Sequence, residues 1–454
     1  MLYDTVVVGG GVAGLTVAHR LLAAGRQVIC LEADPAAGGC VRTDRVGGLL
    51  CERGAQNVLE EPDGPVCRLA RDLGIAAEIL YPREKGNFIA WGGRLRSMPA
   101  QLHRVLSPAG MARAVRGLIL ARAAEADDES VATWARRRFG DEFACRVIDP
   151  VVSGIFAGDP ERLSLEAAFP DVGDLERKHR SLIAGAFTSK SPKRRYYSFR
   201  NGMGALTETL AQRLGTAVRT GVKALAIAAE GNGCYRIDCD GATGKPEFAV
   251  RTRSVVVGTP AAAAAGMMSA LDPALGPLCR SIESAPVVSA SMAFSPADFN
   301  HRPPKGYGLV RPHCDGSRLL GCLFSSSAFE GAAPPDVIHL RVLVGGQRDP
   351  EAFGLSHGEL LGLSRQELSG ILGLRTDARP SVFHVARHRF GLPQYETGHL
   401  KRVQEIEGTL IRFPRVHVTG NSYHGLSVSK VVEHDGAVVR PHTGKAGGLE
   451  GITL

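Results

Sequence analysis

The first residues of the chain alternate between short apolar runs and one amphipathic segment. Residues 3–8 form an apolar run rich in β-branched side chains, which is typical of a buried parallel strand. Apolar side chains then recur at helical spacing, at Leu15, Ala18, Leu21 and Leu22. Gly25 stands where a helix commonly ends, and residues 27–31 predict a second strand. This pattern predicts a strand–helix–strand unit, and hence an α/β fold.

A glycine pattern lies between the first strand and the helix. Gly9, Gly11 and Gly14 fit G-x-G-x-x-G, and Glu32 follows the second strand. The first glycine makes the tight turn, the second lets a pyrophosphate approach the backbone, and the third lets helix and strand pack closely. The helix N-terminus then faces the phosphates, and the acidic residue is placed for a ribose hydroxyl. These residues predict a dinucleotide site for FAD or NAD.

From residue 284 onward, short apolar segments predict a mixed sheet with few helices, a plausible substrate domain. The predicted strands cover 287–294, 307–310, 319–324, 337–344 and 382–384. One helix is predicted over 356–372. A strand over 416–418 and a helix that starts at Ser422 then return the chain to the first unit, and the last nineteen residues, from Gly436, are expected to be loose.

A basic segment interrupts the chain between these two regions. Residues 101–124 contain no acidic residue, and their arginines are Arg104, Arg113, Arg116 and Arg122. The apolar positions of the same segment form one helical face, made of Leu106, Met111, Val115, Leu118, Ile119 and Leu120. A second basic stretch covers 177–200 and includes Lys190 and Lys193. Two interpretations stay open: a helix at a membrane surface, or a helix packed on its own domain with solvated arginines.

Composition narrows the class of protein. A chain of 454 residues favours two or three domains over a single core. The net charge of +8 favours an anionic partner, such as a carboxylated small molecule or an acidic membrane surface. No Lys/Arg run with interleaved aromatic residues supports nucleic-acid binding, and no spacing of ligand residues predicts a metal site. The ten scattered cysteines suit a reduced, cytosolic chain.

We expect neither a signal peptide nor a membrane span. The first strand begins almost at Met1, which leaves no room for a leader. The longest apolar stretch, 254–271, is broken by Gly258 and Pro260, so it predicts a strand, a turn and a helix.

A second glycine-rich segment points to the cofactor. Gly38, Gly39 and Arg42 follow Glu32 closely, and Gly54 comes soon after. This segment resembles the glutathione-reductase-type flavoproteins, in which the arginine and glycines sit over the FAD phosphates. The resemblance implies FAD as cofactor, a residue such as Val222 beside the adenine, and residues 55–57 beside the flavin ring. The helix after Ser422 would then direct its dipole at the flavin pyrimidine.

Other segments resemble one family within that group, the protoporphyrinogen oxidases. The most specific is residues 150–164, with the sequence PVVSGIFAGDPERLS. Others are the turn at Gly202, residues 343–346, residues 393–395 with Gly398 and His399, and residues 420–425. The resemblance covers nearly the whole chain, and related flavin oxidases lack the A-G-D-P segment.

The resemblance implies a fold of three parts. We expect an α/β chain with a Rossmann-like FAD-binding domain of the glutathione-reductase type (1–85, 199–283 and 405–454). A mixed-sheet substrate domain would cover 86–98 and 284–404, and a helical, basic, membrane-binding insertion 99–198.

The implied activity is oxygen-dependent oxidation of protoporphyrinogen IX to protoporphyrin IX in haem biosynthesis. In that family the flavin is thought to take hydride from a meso carbon, and three rounds remove six electrons. Dioxygen then reoxidises the flavin and gives hydrogen peroxide, so no acid–base residue is needed. Coproporphyrinogen III is the near alternative substrate. A flavin oxidase or desaturase acting on an amine, a polyene or another large ring, and a non-catalytic FAD protein in a haem-enzyme complex, also stay open.

The resemblance also assigns residues. The expected FAD contacts are Gly9, Gly10, Gly11, Val12, Ala13, Gly14, Glu32, Gly39, Cys40, Arg42, Gly54, Ala55, Gln56, Asn57, Val222, Asn421, Leu426, Ser427 and Val428. The expected substrate contacts are Asn87, Gly154, Tyr307, Val310 and Val344. Asn87 replaces a basic residue that often pairs with a propionate, which weakens that anchor. Ala36 and Ala37 replace the usual Arg-Leu pair, and Ser427 makes the flavin surroundings more polar.

The expected partners follow from the same resemblance. They are the porphyrinogen, dioxygen and an anionic membrane surface, with no nucleic acid. A homodimer and a contact with ferrochelatase are left open. The expected location is cytoplasmic, peripheral on the inner face of the membrane.

Overall fold

The computed structural model describes residues 1–119, 128–178, 194–241 and 244–438. Arg122, Lys190, Lys193 and the tail after residue 438 lie outside these residues. In chain order the strands are β1 (Leu2–Tyr3), β2 (Thr5–Val8), β3 (Val28–Leu31), β4 (Thr43–Val46), β5 (Leu49–Glu52), β6 (Val58–Glu60), β7 (Ile79–Leu80), β8 (Asn87–Trp91), β9 (Arg94–Ser97), β10 (Arg195–Phe199), β11 (Val218–Arg219), β12 (Lys223–Glu230), β13 (Cys234–Asp240), β14 (Phe248–Thr252), β15 (Val255–Val257), β16 (Ser284–Phe294), β17 (Gly308–Val310), β18 (Leu319–Leu323), β19 (Ile338–Gly345), β20 (Val382–Pro393) and β21 (Val416–Val418).

The helices lie mostly between the sheets and in the middle of the chain. In chain order they are α1 (Val12–Ala23), α2 (Pro65–Asp72), α3 (Pro108–Ile119), α4 (Val131–Phe139), α5 (Asp141–Phe143), α6 (Asp149–Phe156), α7 (Leu165–Ala168), α8 (Pro170–Lys178), α9 (Gly204–Leu214), α10 (Ala261–Leu271), α11 (Leu275–Arg280), α12 (Ser325–Ala328), α13 (His357–Leu372), α14 (His399–Leu410) and α15 (Val428–Val438). None of the described helices is long and apolar enough to cross a membrane.

A parallel five-stranded sheet forms the centre of the first unit. Its strand order is β11-β3-β2-β15-β21, and every neighbouring pair is parallel. Val6 and Val8 pack into a core on one face, while Val7 packs into a second core on the other. Burial on both faces explains why β2 is a continuous apolar run instead of an alternating one. The strand–helix–strand prediction and the mixed α/β class are confirmed.

A seven-stranded sheet forms the second large layer, in the order β20-β16-β19-β18-β17-β8-β9. Helix α13 covers one face, where its leucines pack against Leu340, Val342 and Val344 of β19. The side chains of Arg341 and Leu343 alternate with these and point to the opposite face. That face is turned toward the first unit, since Arg341 bonds to the carbonyl of Gly54.

Helices from the middle of the chain form a separate small core. Trp134, Phe139 and Phe156 are buried there. The predicted helix over 131–148 is shorter than expected: α4 ends at Phe139, because Gly140 after it has a φ of 86°. A π-helical turn (Ala144–Ile148) then leads into α6. Ser130 caps α4 as predicted, because its side chain accepts a hydrogen bond from the Thr133 amide.

One prediction about the cysteines is wrong. Cys145 and Cys314 are joined in a disulfide, with Cα atoms 6.6 Å apart, and the other eight cysteines are free. The 169 residues that separate the two made this pair invisible in the local spacing. The pair links the π-helical turn to the loop after β17. The proposed domain boundaries stay a prediction.

Candidate functional site

The loop between β2 and α1 has the geometry that a pyrophosphate needs. Gly9 has a φ of 101°, which favours glycine. A Cβ on Gly14 would lie 1.9 Å from the carbonyl oxygen of Gly9, so helix and strand touch there. A Cβ on Gly11 would meet no atom within 4 Å. The loop is therefore closely packed at Gly9 and Gly14, and it leaves open space at Gly11, which would face a ligand.

Glu32 marks one end of this site. Its carboxylate accepts hydrogen bonds from the amides of Gly10 (2.6 Å) and Asp34 (2.7 Å). Burial raises the pKa of Glu32, and these two amide donors oppose that effect. The Val222 amide donates to the carbonyl oxygen of Glu32 over 2.8 Å, so the two predicted adenosine contacts are neighbours.

The second glycine segment packs directly on the first. The Gly38 amide donates to the carbonyl of Gly10 over 2.7 Å. A Cβ on Gly39 would lie 3.2 Å from the Cα of Gly11, and one on Gly54 would lie 2.5 Å from the carbonyl oxygen of Cys40. A continuous line of close backbone contacts thus runs from Gly11 to Gly54.

The chain returns to this site after β21. Tyr395 Oη donates to the carbonyl of Asn421 over 2.5 Å and accepts from the amide of Gly425 over 3.1 Å. Leu426 packs against the small helical core, and Val428 packs against the core beside α1. Ser427 is exposed, and its hydroxyl accepts from the Lys430 amide at the start of α15. Ser427 therefore acts at least as a helix cap.

These residues fit an FAD molecule. Gly11 offers open space beside the α1 N-terminus, where amides that lack a helical partner can meet phosphates. The buried hydroxyl of Thr259, whose methyl group lies beside Gly9, has no hydrogen-bond partner in the described structure. Glu32 and Val222 would hold the adenosine end, and the Gly39–Gly54 line would follow the rest of the cofactor.

The structure brings some of the predicted substrate residues together. A Cβ on Gly154 would lie 2.8 Å from Cγ1 of Val310, so α6 packs closely on β17 at this point. Tyr307 is two residues before Leu309 on the same segment and stacks on Tyr196, with ring centroids 5.4 Å apart. Asn87 is exposed and pairs with Gly308 at the start of β8.

Val344 does not join this group. It is fully buried in the core under α13, on the sheet face turned away from the first unit. Because side chains alternate along a strand, its neighbour Leu343 takes the inward position and packs near Ala157. The structure does not place Val344 beside Gly154 and Val310, and its role as a substrate contact stays a prediction.

The sequence analysis predicted no role for three residues that make contacts at this site. Arg341 bonds to the Gly54 carbonyl, Tyr395 bridges Asn421 and Gly425, and Thr259 lies beside Gly9. The available signal for Arg341 was a charged residue in the middle of a mostly apolar strand. Within the described residues, no group of three or more His, Cys, Asp or Glu side chains is arranged to hold a metal ion.

Comparisons with known proteins agree with this geometry. The profile of the family described as flavin containing amine oxidoreductase matches residues 12–434. The coproporphyrinogen III oxidase of Bacillus subtilis is 28% identical and aligns over 96% of each chain. The chloroplastic protoporphyrinogen oxidase 1 of Arabidopsis thaliana is 28% identical over 95% of this chain and 86% of its own length. Human protoporphyrinogen oxidase is 26% identical over 94% of this chain and 96% of its own length.

Solved structures show how widely the fold is used. A crystal structure from Exiguobacterium, described as that of a putative protoporphyrinogen oxidase, superposes with a TM-score of 0.81 at 24% identity. The superposition covers 96% of this chain and 98% of that chain. A reduced UDP-galactopyranose mutase superposes with a TM-score of 0.74 at 14% identity, covering 96% and 93%. An enzyme of different chemistry shares this fold, so the fold alone does not decide the reaction. The family profile matches nearly the whole chain, and the cofactor cradle, the residues from Glu32 across Gly11 to Gly54, fits FAD. The chain therefore belongs to the flavin containing amine oxidoreductase family.

Proposed function

We propose that this protein is an FAD-dependent porphyrinogen oxidase of haem biosynthesis. Protoporphyrinogen IX is the first expected substrate and coproporphyrinogen III the second. The observation that carries the proposal is that relatives named as porphyrinogen oxidases match at least 94% of this chain. The second substrate is favoured by the Bacillus subtilis relative, which is named for it and matches over 96% of each chain.

When bound, FAD supplies the oxidising chemistry by accepting a hydride. The residues of this chain would bind the cofactor and the substrate and orient them toward each other. Gly11 and the α1 N-terminus would hold the phosphates, and Glu32 would hold a ribose. Gly154 and Val310, which pack against each other, would offer apolar surface to a large ring. Asn87, neutral and exposed at the edge, would give a carboxylate a hydrogen bond instead of an ion pair.

Steady-state kinetics test the substrate. Purified holoprotein is supplied in air with protoporphyrinogen IX or coproporphyrinogen III, and porphyrin fluorescence and peroxide are followed. We expect fluorescent porphyrin from at least one substrate, with peroxide from dioxygen, and the ratio of kcat/KM values ranks the two. Turnover of an amine or a polyene, with neither porphyrinogen oxidised, would replace the proposal by another oxidase of the same family.

We further propose peripheral attachment to an anionic membrane surface on the cytoplasmic side. The buried face of α3 consists of small residues, Gly110, Ala114 and Gly117. Bulky apolar side chains face outward instead: Val115 is 47% and Ile119 is 52% exposed. Two exposed arginines, Arg113 and Arg116, lie on the same helix. An outward apolar face flanked by arginines supports the membrane interpretation over a helix packed on its own domain.

Charge introduced on this face is expected to release the protein from vesicles. Val115→Glu with Ile119→Glu should reduce sedimentation with anionic lipid vesicles at least tenfold, because it removes apolar insertion and adds repulsion. The matched control is Ile411→Glu, which changes an 81% exposed side chain elsewhere and should leave binding unchanged. Equal binding of the double variant and the wild type would contradict the proposed surface. A homodimer and a ferrochelatase contact remain expectations from the family resemblance.

A further inference from the structure

Arg341 is the largest of the fully buried side chains, with 2% of its surface exposed. Its Nε donates to the hydroxyl of Ser289 over 2.7 Å, and one terminal nitrogen donates to the carbonyl of Gly54 over 2.6 Å. Longer contacts reach the Arg53 carbonyl (3.3 Å) and the Gln56 side-chain oxygen (3.4 Å). All four acceptors are neutral.

A buried cation without a counter-charge is costly. None of the described carboxylates forms an ion pair with Arg341. Burial lowers the pKa of Arg341 only to about 10, so the guanidinium stays charged at neutral pH. The acid with the largest electrostatic effect on Arg341 is Glu52, and burial raises the pKa of that carboxyl to about 7. Glu52 therefore supplies less than a full negative charge.

The position of Arg341 indicates where a compensating charge would come from. The cofactor cradle starts at Glu32, crosses Gly11, and continues along the close contacts of Gly39, Cys40 and Gly54. Arg341 bonds to the end of this line. Since Glu32 marks the ribose of the adenosine, the opposite end of the line belongs to the redox-active ring.

We propose that Arg341 is the positioning residue for the flavin end of the cofactor, fixing the Gly54–Gln56 backbone and providing a positive charge beside the ring. Reduction adds negative charge to the cofactor, and a fixed cation in a low-dielectric site stabilises that charge strongly. The partial positive charge at the N-terminus of α15 would act in the same sense. This inference rests on FAD binding and not on the identity of the substrate.

The decisive measurement is the reduction potential of the bound flavin. Arg341→Met keeps an apolar chain of similar length and removes the charge. We expect the equilibrium constant for two-electron reduction to fall at least tenfold, which is a shift of about 30 mV to lower potential. Arg341→Lys keeps the charge while losing the fork of hydrogen bonds, so its potential should stay closer to that of the wild type.

The matched control is Arg387→Met. Arg387 lies on the same sheet and pairs with Val288 on the face away from Gly54. Among the described residues, its guanidinium donates hydrogen bonds only to the carbonyls of Phe353 and Leu355. The reduction potential of the flavin in Arg387→Met should equal that in the wild type. A role as a mere brace would lower FAD affinity in the Met and Lys variants alike and leave both potentials unchanged, which would overturn the proposal.

A wild-type measurement covers the case in which Arg341→Met does not fold. The absorbance of the reduced holoprotein is recorded across pH and compared with free reduced FAD. A nearby cation favours the anionic form, so the bound reduced cofactor should take up its proton at lower pH than free FAD. Protonation at the same pH as in free FAD would overturn the proposal without any variant.

Discussion

Replacing Gly11 by valine is expected to abolish tight FAD binding while leaving the fold intact. A Cβ at this position would meet no protein atom within 4 Å, and the backbone φ of −75° suits any residue. The added side chain would instead fill the space through which the pyrophosphate approaches the helix amides. We expect the affinity to fall at least about 100-fold, or about 2.7 kcal/mol.

Titration of the apoprotein with FAD, followed by flavin fluorescence, measures this loss. Gly408→Val is the matched control, because that helical glycine is equally open and lies outside the cradle. Gly14→Ala should behave differently: its Cβ would collide with the Gly9 backbone at 1.9 Å, so α1 must move and the protein itself loses stability. Wild-type affinity in Gly11→Val would mean that the pyrophosphate binds elsewhere.

Glu176→Ala is expected to destabilise the protein by about 3–5 kcal/mol. The Glu176 carboxylate pairs with two guanidiniums, Arg138 at 2.6 Å and Arg137 at 3.2 Å, whose side chains are 0% and 5% exposed. Two other nitrogens of Arg138 already lack partners within the described structure. Removing the carboxylate would leave a buried positive charge with little compensation, and the Trp134 indole N–H would lose its acceptor.

A solvent-exposed ion pair of α4, the helix that carries Arg137 and Arg138, serves as the control. Arg136 and Glu161 form an ion pair whose side chains are 44% and 49% exposed. Water and salt screen such a pair, so Glu161→Ala should cost about 0–1 kcal/mol. Urea unfolding of both variants gives the comparison. Similar losses in the two variants would show that burial does not govern these ion pairs.

The cofactor cradle could be predicted because its parts are close in sequence. Gly9, Gly14 and Glu32 lie within one strand–helix–strand unit, where the spacing fixes the geometry. Periodicity also gave four strands of the substrate sheet and the helix over 357–372 to within a few residues, whereas β20 continues to Pro393, well beyond the predicted 382–384. Local signals succeed where one segment builds the feature alone.

Long-range features escaped the same reasoning. Val344, a predicted substrate contact, packs in the core under α13, because a shift of one residue reverses a strand and sequence alone does not fix which face is inward. Arg341 meets Gly54 across 287 positions, and Cys145 meets Cys314 across 169. Their partners are set by how the sheets and helices pack, which no local pattern reports.

One measurement tests the central claim, oxidation of a porphyrinogen by the bound flavin, most directly. Excess oxidised holoprotein is mixed anaerobically with a limiting amount of protoporphyrinogen IX or coproporphyrinogen III, and flavin absorbance and porphyrin fluorescence are followed together. Porphyrin formation removes six electrons and each FAD takes two, so we predict three flavins bleached per porphyrin formed. Flavin that stays oxidised with both substrates, in a protein that retains its FAD, would contradict the account.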